Sequence, residues 1–165
     1  MTDERPLVAV MMGSASDAPL LEPCLKTLHS FSVPFVVRIL SAHRTPEETA
    51  AFVKEAEGEG VEVFIAAAGM AAHLAGAVAA RTVRPVVGIP LASGPLNGQD
   101  ALLSTVMMPP GLPVATVAVN GARNAAVLAV QILALSRPAL AEALKENRER
   151  MRREVLEKDA AFPPG

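Results

Sequence analysis

Two adjacent residues, His43 and Arg44, carry the side chains in this sequence that are best suited to chemistry. A histidine can donate and accept a proton near neutral pH, and an arginine can bind a phosphate through two parallel hydrogen bonds. Both residues follow a short apolar run, and the Thr45-Pro46 pair after them is typical of a helix start. The alternative interpretation is a surface histidine beside an ordinary helix cap, because most histidines are not catalytic.

A second polar segment, GSASD at residues 13–17, follows the first apolar run of the chain. Its two hydroxyls and the free N–H groups at the start of a helix would form a cradle for an anion. The carboxylate of Asp17 suits a sugar hydroxyl better than a phosphate. Alternatively, Ser16 or Asp17 only caps the helix. The segment is neither a P-loop nor a dinucleotide-binding fingerprint, because the glycines and the lysine of those motifs are missing.

The third apolar run ends in small residues and a second histidine, in the segment GMAAHLAG at residues 69–76. Small residues allow a ligand to lie against the backbone, although close helix packing with an incidental histidine explains the same pattern. The loop at residues 91–98 follows the fourth run and is able to reach over a site. No carboxylate or cysteine lies at ligand spacing from His43 and His73, so the sequence does not favour a metal site.

Five short apolar runs predict the strands that position these residues, at 7–12, 35–40, 63–68, 86–89 and 114–119. Their apolar residues are nearly continuous, which is typical of a parallel sheet covered on both faces. Helices predicted at about 17–31, from 46 onward, and at 71–82, 99–106 and 124–135 alternate with the strands. The expected fold is therefore a three-layer α/β sandwich with a five-stranded, doubly wound, flavodoxin-like sheet. Ligands of such sheets bind at the carboxyl ends of the strands.

The length of 165 residues suits one domain, with a core at residues 7–137 and a C-terminal helix at 138–159. Hydrophobic residues make up 51% of the chain and aromatic residues only 3%, so we expect other subunits to cover some of the small apolar surface. The net charge of -2 and the lack of aromatics argue against a nucleic-acid partner. With acidic residues before the first apolar run and no long apolar stretch, we expect a soluble, cytoplasmic protein without a membrane partner.

Taken together, these motifs resemble those of the N5-carboxyaminoimidazole ribonucleotide mutases of purine biosynthesis. That family is also described as the catalytic subunit of phosphoribosylaminoimidazole carboxylase. The resemblance covers about residues 7–137 and rests on four motifs in the same order. They are MGSxSD at 12–17, SAHRTP at 41–46, GxAAHL at 69–74 and NAA at 124–126.

The resemblance implies an isomerase that moves a carboxylate from the exocyclic nitrogen of aminoimidazole ribonucleotide to the adjacent ring carbon, by decarboxylation and recarboxylation. In this family His43 would be the general acid and base, and Ser14, Asp17 and Arg44 would bind the ribonucleotide. The other substrate-binding residues that the resemblance implies are Ser16, Ser41, Gly69, Ala71, Ala72, His73 and Leu74. No cofactor or metal is implied, and the family assembles as homo-octamers with sites between subunits.

Three alternatives stay open at the level of the sequence. A sister group carboxylates aminoimidazole ribonucleotide directly with carbon dioxide, but it tends to have lysine after the catalytic histidine and to lack the AAHL segment. This chain has Arg44 and that segment, so it resembles the mutase type. A nucleotide- or flavin-binding module without catalysis is the second alternative. The third is a degenerate scaffold whose pocket is blocked by Met70, since Ala67 and Met70 stand where the family usually has glycine.

Overall fold

A computed structural model describes residues 5–162, so the first four and last three residues of the predicted domain lie outside it. The strands are β1 (Val8–Met12), β2 (Phe35–Ile39), β3 (Val63–Gly69), β4 (Val86–Leu91) and β5 (Ala115–Thr116). The helices are α1 (Ala18–Ser30), α2 (Pro46–Glu59), α3 (Leu74–Ala79), α4 (Gln99–Val106), α5 (Ala122–Ala134) and α6 (Pro138–Ala161). A short 3-10 turn, Ala15–Asp17, precedes α1.

All five strands pair in parallel, in the order β2-β1-β3-β4-β5. This order confirms the predicted doubly wound, flavodoxin-like sheet. Each connection is a helix, since parallel neighbours cannot be joined by a tight turn. Strand order reverses beside β1, and β1 and β3 are neighbours although β2 lies between them in the chain. The crevice at this reversal is the place where such sheets bind ligands.

The alternation of side chains along β1 divides the core into two layers. Val8, Val10 and Met12 point to the face covered by α1 and α5, while Ala9 and Met11 point to the opposite face. All five residues of the strand are buried, which explains why its sequence is apolar without interruption. Cys24 packs in the first layer from α1, and α6 extends this layer by packing against α5.

Two predicted elements are shorter in the structure than the sequence indicated. The helix expected at 71–82 is wrong at both ends, because α3 has six residues. Met70 adopts a left-handed conformation with φ of 51°, and the N–H groups of Ala72 and His73 donate to the carbonyls two residues before them. These turns keep residues 70–73 out of the helix. The fifth strand is an edge strand of two residues, Ala115–Thr116, which pairs on one side only.

Helix α4 rests directly on the middle of β4 because Gly88 has no side chain. A Cβ atom at Gly88 would lie 2.4 Å from Thr105 Cγ2, 2.8 Å from Val114 Cγ1 and 3.3 Å from Ala75 Cβ. Neighbouring atoms surround this position on three sides, so an added methyl group would have no free space. The position of α4, and of the loop that leads into it, therefore depends on this glycine.

We expect the substitution Gly88→Ala to lower the free energy of unfolding by about 1–3 kcal/mol, the usual cost of overpacking a core. The matched control is Gly58→Ala in α2, where a Cβ atom would meet nothing within 4 Å. That substitution should leave the free energy of unfolding unchanged or raise it by up to about 1 kcal/mol, because alanine has a higher helix propensity than glycine. Urea denaturation at one fixed protein concentration measures both changes, and equal effects of the two substitutions would contradict this packing.

Candidate active site

The carboxyl ends of four neighbouring strands surround one cavity of about 440 Å³. Its lining comes from the segments that follow β1, β2, β3 and β4. The lining residues are Gly13, Ser14, Ser16, Asp17, Ser41, Ala42, His43, Arg44, Ala68, Gly69, Met70, Ala71, Leu74 and Ser93. A cavity of this volume is large enough for a small-molecule ligand.

Two of the predicted site residues lie apart from this cavity. Ala72 is buried and is not part of the lining, and His73 lines a neighbouring cavity instead. The residue that the motifs did not single out is Ser93, whose hydroxyl lies across the end of β3. The sequence could have indicated Ser93 through its position just after β4, because the neighbouring strands are also followed by polar or small residues at this edge. Met70 forms part of the wall and leaves the cavity open.

The segment after β1 forms a compact hydroxyl pair. The Ser14 and Ser16 hydroxyl oxygens are 2.8 Å apart, and the Ser16 N–H donates to Ser14 Oγ at 3.3 Å. Ser14 is therefore the cap of the 3-10 turn, and Asp17 occupies the N-cap position of α1, one of the two positions that the capping alternative named. The Asp17 side chain makes no capping hydrogen bond to α1. Asp17 lines the cavity, where a ligand can reach its carboxylate.

Asp17 is one of the few buried polar residues in the described part of the chain, with 6% of its surface exposed. Burial raises the pKa of its carboxyl, while the backbone N–H of Ser14 and the charge of Arg44 act in the opposite direction. A carboxylate held at some cost in a cavity is more often found at a functional site than elsewhere. It is an acceptor at the cavity wall, which suits a ligand that donates hydrogen bonds.

A network between Ser41 and Thr45 fixes the turn that presents His43 and Arg44. Ser41 Oγ accepts the N–H groups of His43 at 3.4 Å and Arg44 at 3.2 Å. The Ser41 N–H donates to Thr45 Oγ1 at 2.8 Å, and that hydroxyl donates back to the Ser41 carbonyl at 3.1 Å. Helix α2 begins at Pro46 as predicted, but the Thr45 hydroxyl holds the turn and makes no capping bond to the helix.

Arg44 joins the segments after β1 and β2. Its Nη2 donates to the carbonyl oxygen of Gly13 at 2.8 Å. This bond uses one of the five donors of the guanidinium and places the group beside the Ser14–Ser16 hydroxyls. The remaining donors, in their planar arrangement, can bind an anion in two-point contact. The cavity therefore has a cation and hydroxyl donors on one side and a buried carboxylate nearby.

His43 contacts the second histidine of the site. The distance between His43 Nε2 and His73 Nδ1 is 2.8 Å, and the two ring planes are at 82° with centroids 4.9 Å apart. One ring must donate and the other accept, since two bare nitrogens or two N–H groups would repel each other. Within residues 5–162, no three His, Cys, Asp or Glu side chains are grouped as a metal site would require.

The loops after β3 and β4 fit together through two glycines. Gly69 lies under Ser93, because a Cβ atom on Gly69 would be 1.6 Å from Ser93 Oγ and 2.9 Å from its Cβ. In the reverse sense, a Cβ atom on Gly94 would be 2.9 Å from Met70 Cγ. Each loop thus has a glycine where the other has a side chain. This packing supports the left-handed Met70, a conformation that costs about 1–3 kcal/mol when nothing holds it.

Comparison with known proteins identifies the family of the chain. A family profile described as AIR carboxylase matches residues 7–154. The chain belongs to the AIR carboxylase family. Relatives named N5-carboxyaminoimidazole ribonucleotide mutase include one from Pyrococcus horikoshii, 50% identical over 158 residues, which are 96% of this chain and 89% of the relative. Another, from Thermotoga maritima, is 50% identical over 153 residues, or 93% of this chain and 90% of the relative.

A solved structure is also similar to this chain. The crystal structure of Treponema denticola PurE matches with a TM-score of 0.88 and 31% sequence identity. The match covers 97% of this chain and 100% of that one. No helix in residues 5–162 is both long enough and apolar enough to cross a membrane.

The fit between Gly69 and Ser93 gives a prediction that can be tested by exchanging their side chains. We expect Gly69→Ala to destabilise the chain and to weaken substrate binding, because the new methyl group displaces Ser93 and its loop. Ser93→Gly removes the obstructing hydroxymethyl group, so the double variant should recover much of the loss. Urea denaturation of the wild type, both single variants and the double variant should give a coupling energy of about 1–3 kcal/mol. Strictly additive effects would contradict the packing.

Proposed function

We infer that this chain is an N5-carboxyaminoimidazole ribonucleotide mutase of purine biosynthesis. The single observation that carries the inference is a general acid–base candidate, His43, lining one cavity with Arg44 and Asp17. The chain matches the AIR carboxylase family over residues 7–154, and relatives about half identical to it have the mutase name. The product of the reaction is 4-carboxy-5-aminoimidazole ribonucleotide.

The polar side of the cavity suits the ribose phosphate of this substrate. We propose that Arg44 binds the phosphate, because a guanidinium can bind phosphate oxygens in two-point contact. The Ser14–Ser16 hydroxyl pair and the backbone N–H groups beside it add neutral donors. Asp17 would accept hydrogen bonds from the ribose hydroxyls. The Arg44 bond to the Gly13 carbonyl holds these groups in one fixed arrangement before the substrate arrives.

The apolar part of the wall suits the imidazole ring and the carbon dioxide that the reaction releases. Ala42, Ala68, Ala71 and Leu74 contribute small or apolar surface around His43. The glycine at position 69 allows a flat ring to approach the backbone after β3. We propose that this wall keeps carbon dioxide beside the ring and away from water between the two halves of the reaction. The roles of Ser41 and Ala72 are then to support the turns that form the wall.

The reaction needs one proton to be delivered and one to be removed. We propose that His43 protonates the exocyclic nitrogen as its bond to the carboxyl carbon breaks, so that carbon dioxide leaves and the bonding electrons stay on nitrogen. The electron-rich ring carbon then attacks carbon dioxide and forms the new carbon–carbon bond. His43 removes the hydrogen from that ring carbon, which restores the aromatic ring. One proton leaves the histidine and one returns, so the enzyme ends in its starting state.

The comparisons do not favour direct carboxylation of aminoimidazole ribonucleotide as the activity. The relatives described above, half identical to this chain, have the mutase name. The chain also has Arg44 and the AAHL segment at residues 71–74, as the mutase type has. The scaffold alternative required Met70 to block the cavity, and the cavity is open beside it.

We further propose that the enzyme is a cytoplasmic homo-octamer. The surface around α4 supports an assembly, because Leu103, Val106 and Met107 are 60%, 46% and 76% exposed on adjoining turns. Helix α6 has no buried residue, and Val155 and Leu156 are exposed on its second half.

Light scattering should give a mass eight times that of one chain, and a monomer would contradict the octamer. The cytoplasmic location rests on the mutase name of the relatives, which is that of a biosynthetic enzyme.

Removing the ring of His43 tests its role. We expect His43→Asn to fold and assemble as the wild type does but to lose turnover by a factor of about 100 or more, because asparagine cannot transfer the proton. His29→Asn is the matched control, since His29 is exposed on α1, remote from the cavity lining. Steady-state assays with N5-carboxyaminoimidazole ribonucleotide measure both variants. A rate near that of the wild type in His43→Asn would contradict the catalytic role of His43.

Truncating Arg44 tests the phosphate contact. We expect Arg44→Ala to weaken substrate binding by a factor of about 10–100, which corresponds to the loss of a hydrogen bond to a charged group. Lys54→Ala, at an exposed position of α2, is the control for the loss of one positive charge. Isothermal titration with the carbon-carboxylated product measures the affinities. Unchanged affinity in Arg44→Ala would argue against a phosphate at this position.

A further inference from the structure

His73 lies behind His43 as seen from the substrate cavity. His43 lines both the substrate cavity and a second cavity of about 510 Å³, whereas His73 lines only the second. The two imidazoles meet at the wall between these cavities, with His43 Nε2 and His73 Nδ1 2.8 Å apart. His73 is therefore placed to act on His43, and it is not placed to touch a ligand in the substrate cavity.

The contact occupies one ring nitrogen of His43 and leaves the other for the substrate. Within residues 5–162, no group makes a hydrogen bond to His43 Nδ1. A histidine that gives a proton to the exocyclic nitrogen and later takes one from the ring carbon must use the same free nitrogen twice. The other nitrogen must keep its hydrogen throughout, or the ring would change tautomer between the two steps. His43 Nε2 therefore needs a permanent acceptor.

We propose that His73 is a positioning residue that supplies this acceptor. Its Nδ1 accepts the hydrogen bond from His43 Nε2–H, and its own hydrogen is on Nε2. The proposal rests on the proposed function, because it concerns the proton that His43 transfers in the mutase reaction. It changes the role of His73 from a substrate contact to a group that fixes the tautomer and the ring orientation of the catalytic histidine.

The second cavity, which His73 lines, is mostly apolar. The second cavity is lined by apolar groups on α3, α4 and the segment after α4, including Ala77, Leu103, Met107 and Met108. Its lining holds one hydroxyl, that of Ser104, and no carboxylate. A neutral imidazole can accept at Nδ1 only when its hydrogen is on Nε2. The arrangement is comparable to other histidines whose tautomer is set by the hydrogen bond at the remote nitrogen.

The backbone holds His73 in place at the start of α3. The His73 N–H donates to the Ala71 carbonyl at 2.8 Å, and the Ala77 N–H donates to the His73 carbonyl at 2.9 Å. The left-handed conformation of Met70 is what directs the chain into this turn. Gly76 lies beside Met108, since a Cβ atom at Gly76 would be 3.2 Å from the Met108 sulfur. The imidazole is thus presented to His43 from a packed helix end.

The test compares His73→Leu, which removes the acceptor, with His73→Asn, whose side-chain oxygen can occupy about the position of Nδ1. We expect His73→Leu to lower kcat by a factor of about 10–100, as for a lost hydrogen bond to a charged group, with KM nearly unchanged. His73→Asn should recover most of that loss. Steady-state assays of the purified enzyme with N5-carboxyaminoimidazole ribonucleotide give both constants. If His73→Leu does not assemble, His73→Ala provides the same comparison.

Two results would overturn the proposal. A rise in KM at unchanged kcat would show that His73 contacts the substrate, and equal loss in the leucine and asparagine variants would show that no acceptor is required. Thermal unfolding of each variant separates these effects from a loss of stability, because a structural role would lower the melting temperature, lower kcat and raise KM together. Failure of the proposed function itself is distinguishable, since the wild type would then not turn over the substrate.

Discussion

Burial of the parallel sheet on both of its faces is the constraint on which the rest of the structure depends. The residues of β1 are all buried, and those of β4 are buried as well. No polar group can be placed along such strands without losing its hydrogen bonds to water. Chemistry is therefore possible only where the strands end. The parallel arrangement brings four of these ends to one edge, where His43, Arg44, Asp17 and Ser93 meet.

Once the sheet is fixed, short-range contacts determine the geometry of the site. The Ser41–Thr45 network orients the turn after β2, and Arg44 connects that turn to the segment after β1. On the other side, the loops after β3 and β4 hold each other through Gly69 and Gly94. The site is thus built from two pairs of loops that hold each other, with His43 at the first pair and its hydrogen-bonding partner, His73, at the second.

The sequence predicted the parts of this arrangement that depend on local patterns. Continuous apolar runs located the strands, and the Thr45-Pro46 pair located the start of α2 at Pro46. It could not predict contacts between residues that are distant in the chain, such as the His43–His73 bond across thirty positions. It also missed the late start of α3, because Met70 adopts a conformation that methionine rarely takes. The role of Ser93 depends on the fit of two loops, which no single motif contains.

The central claim is that the enzyme, with His43 as its acid and base, moves a carboxylate that is already attached to the substrate. The most direct measurement is therefore a two-substrate assay on the purified enzyme. One arm supplies N5-carboxyaminoimidazole ribonucleotide, and the other supplies aminoimidazole ribonucleotide with bicarbonate at modest concentration. The absorbance of the carbon-carboxylated product is followed in both. The account predicts rapid turnover in the first arm only. Efficient turnover in the second arm would show a direct carboxylase and would contradict the mutase assignment.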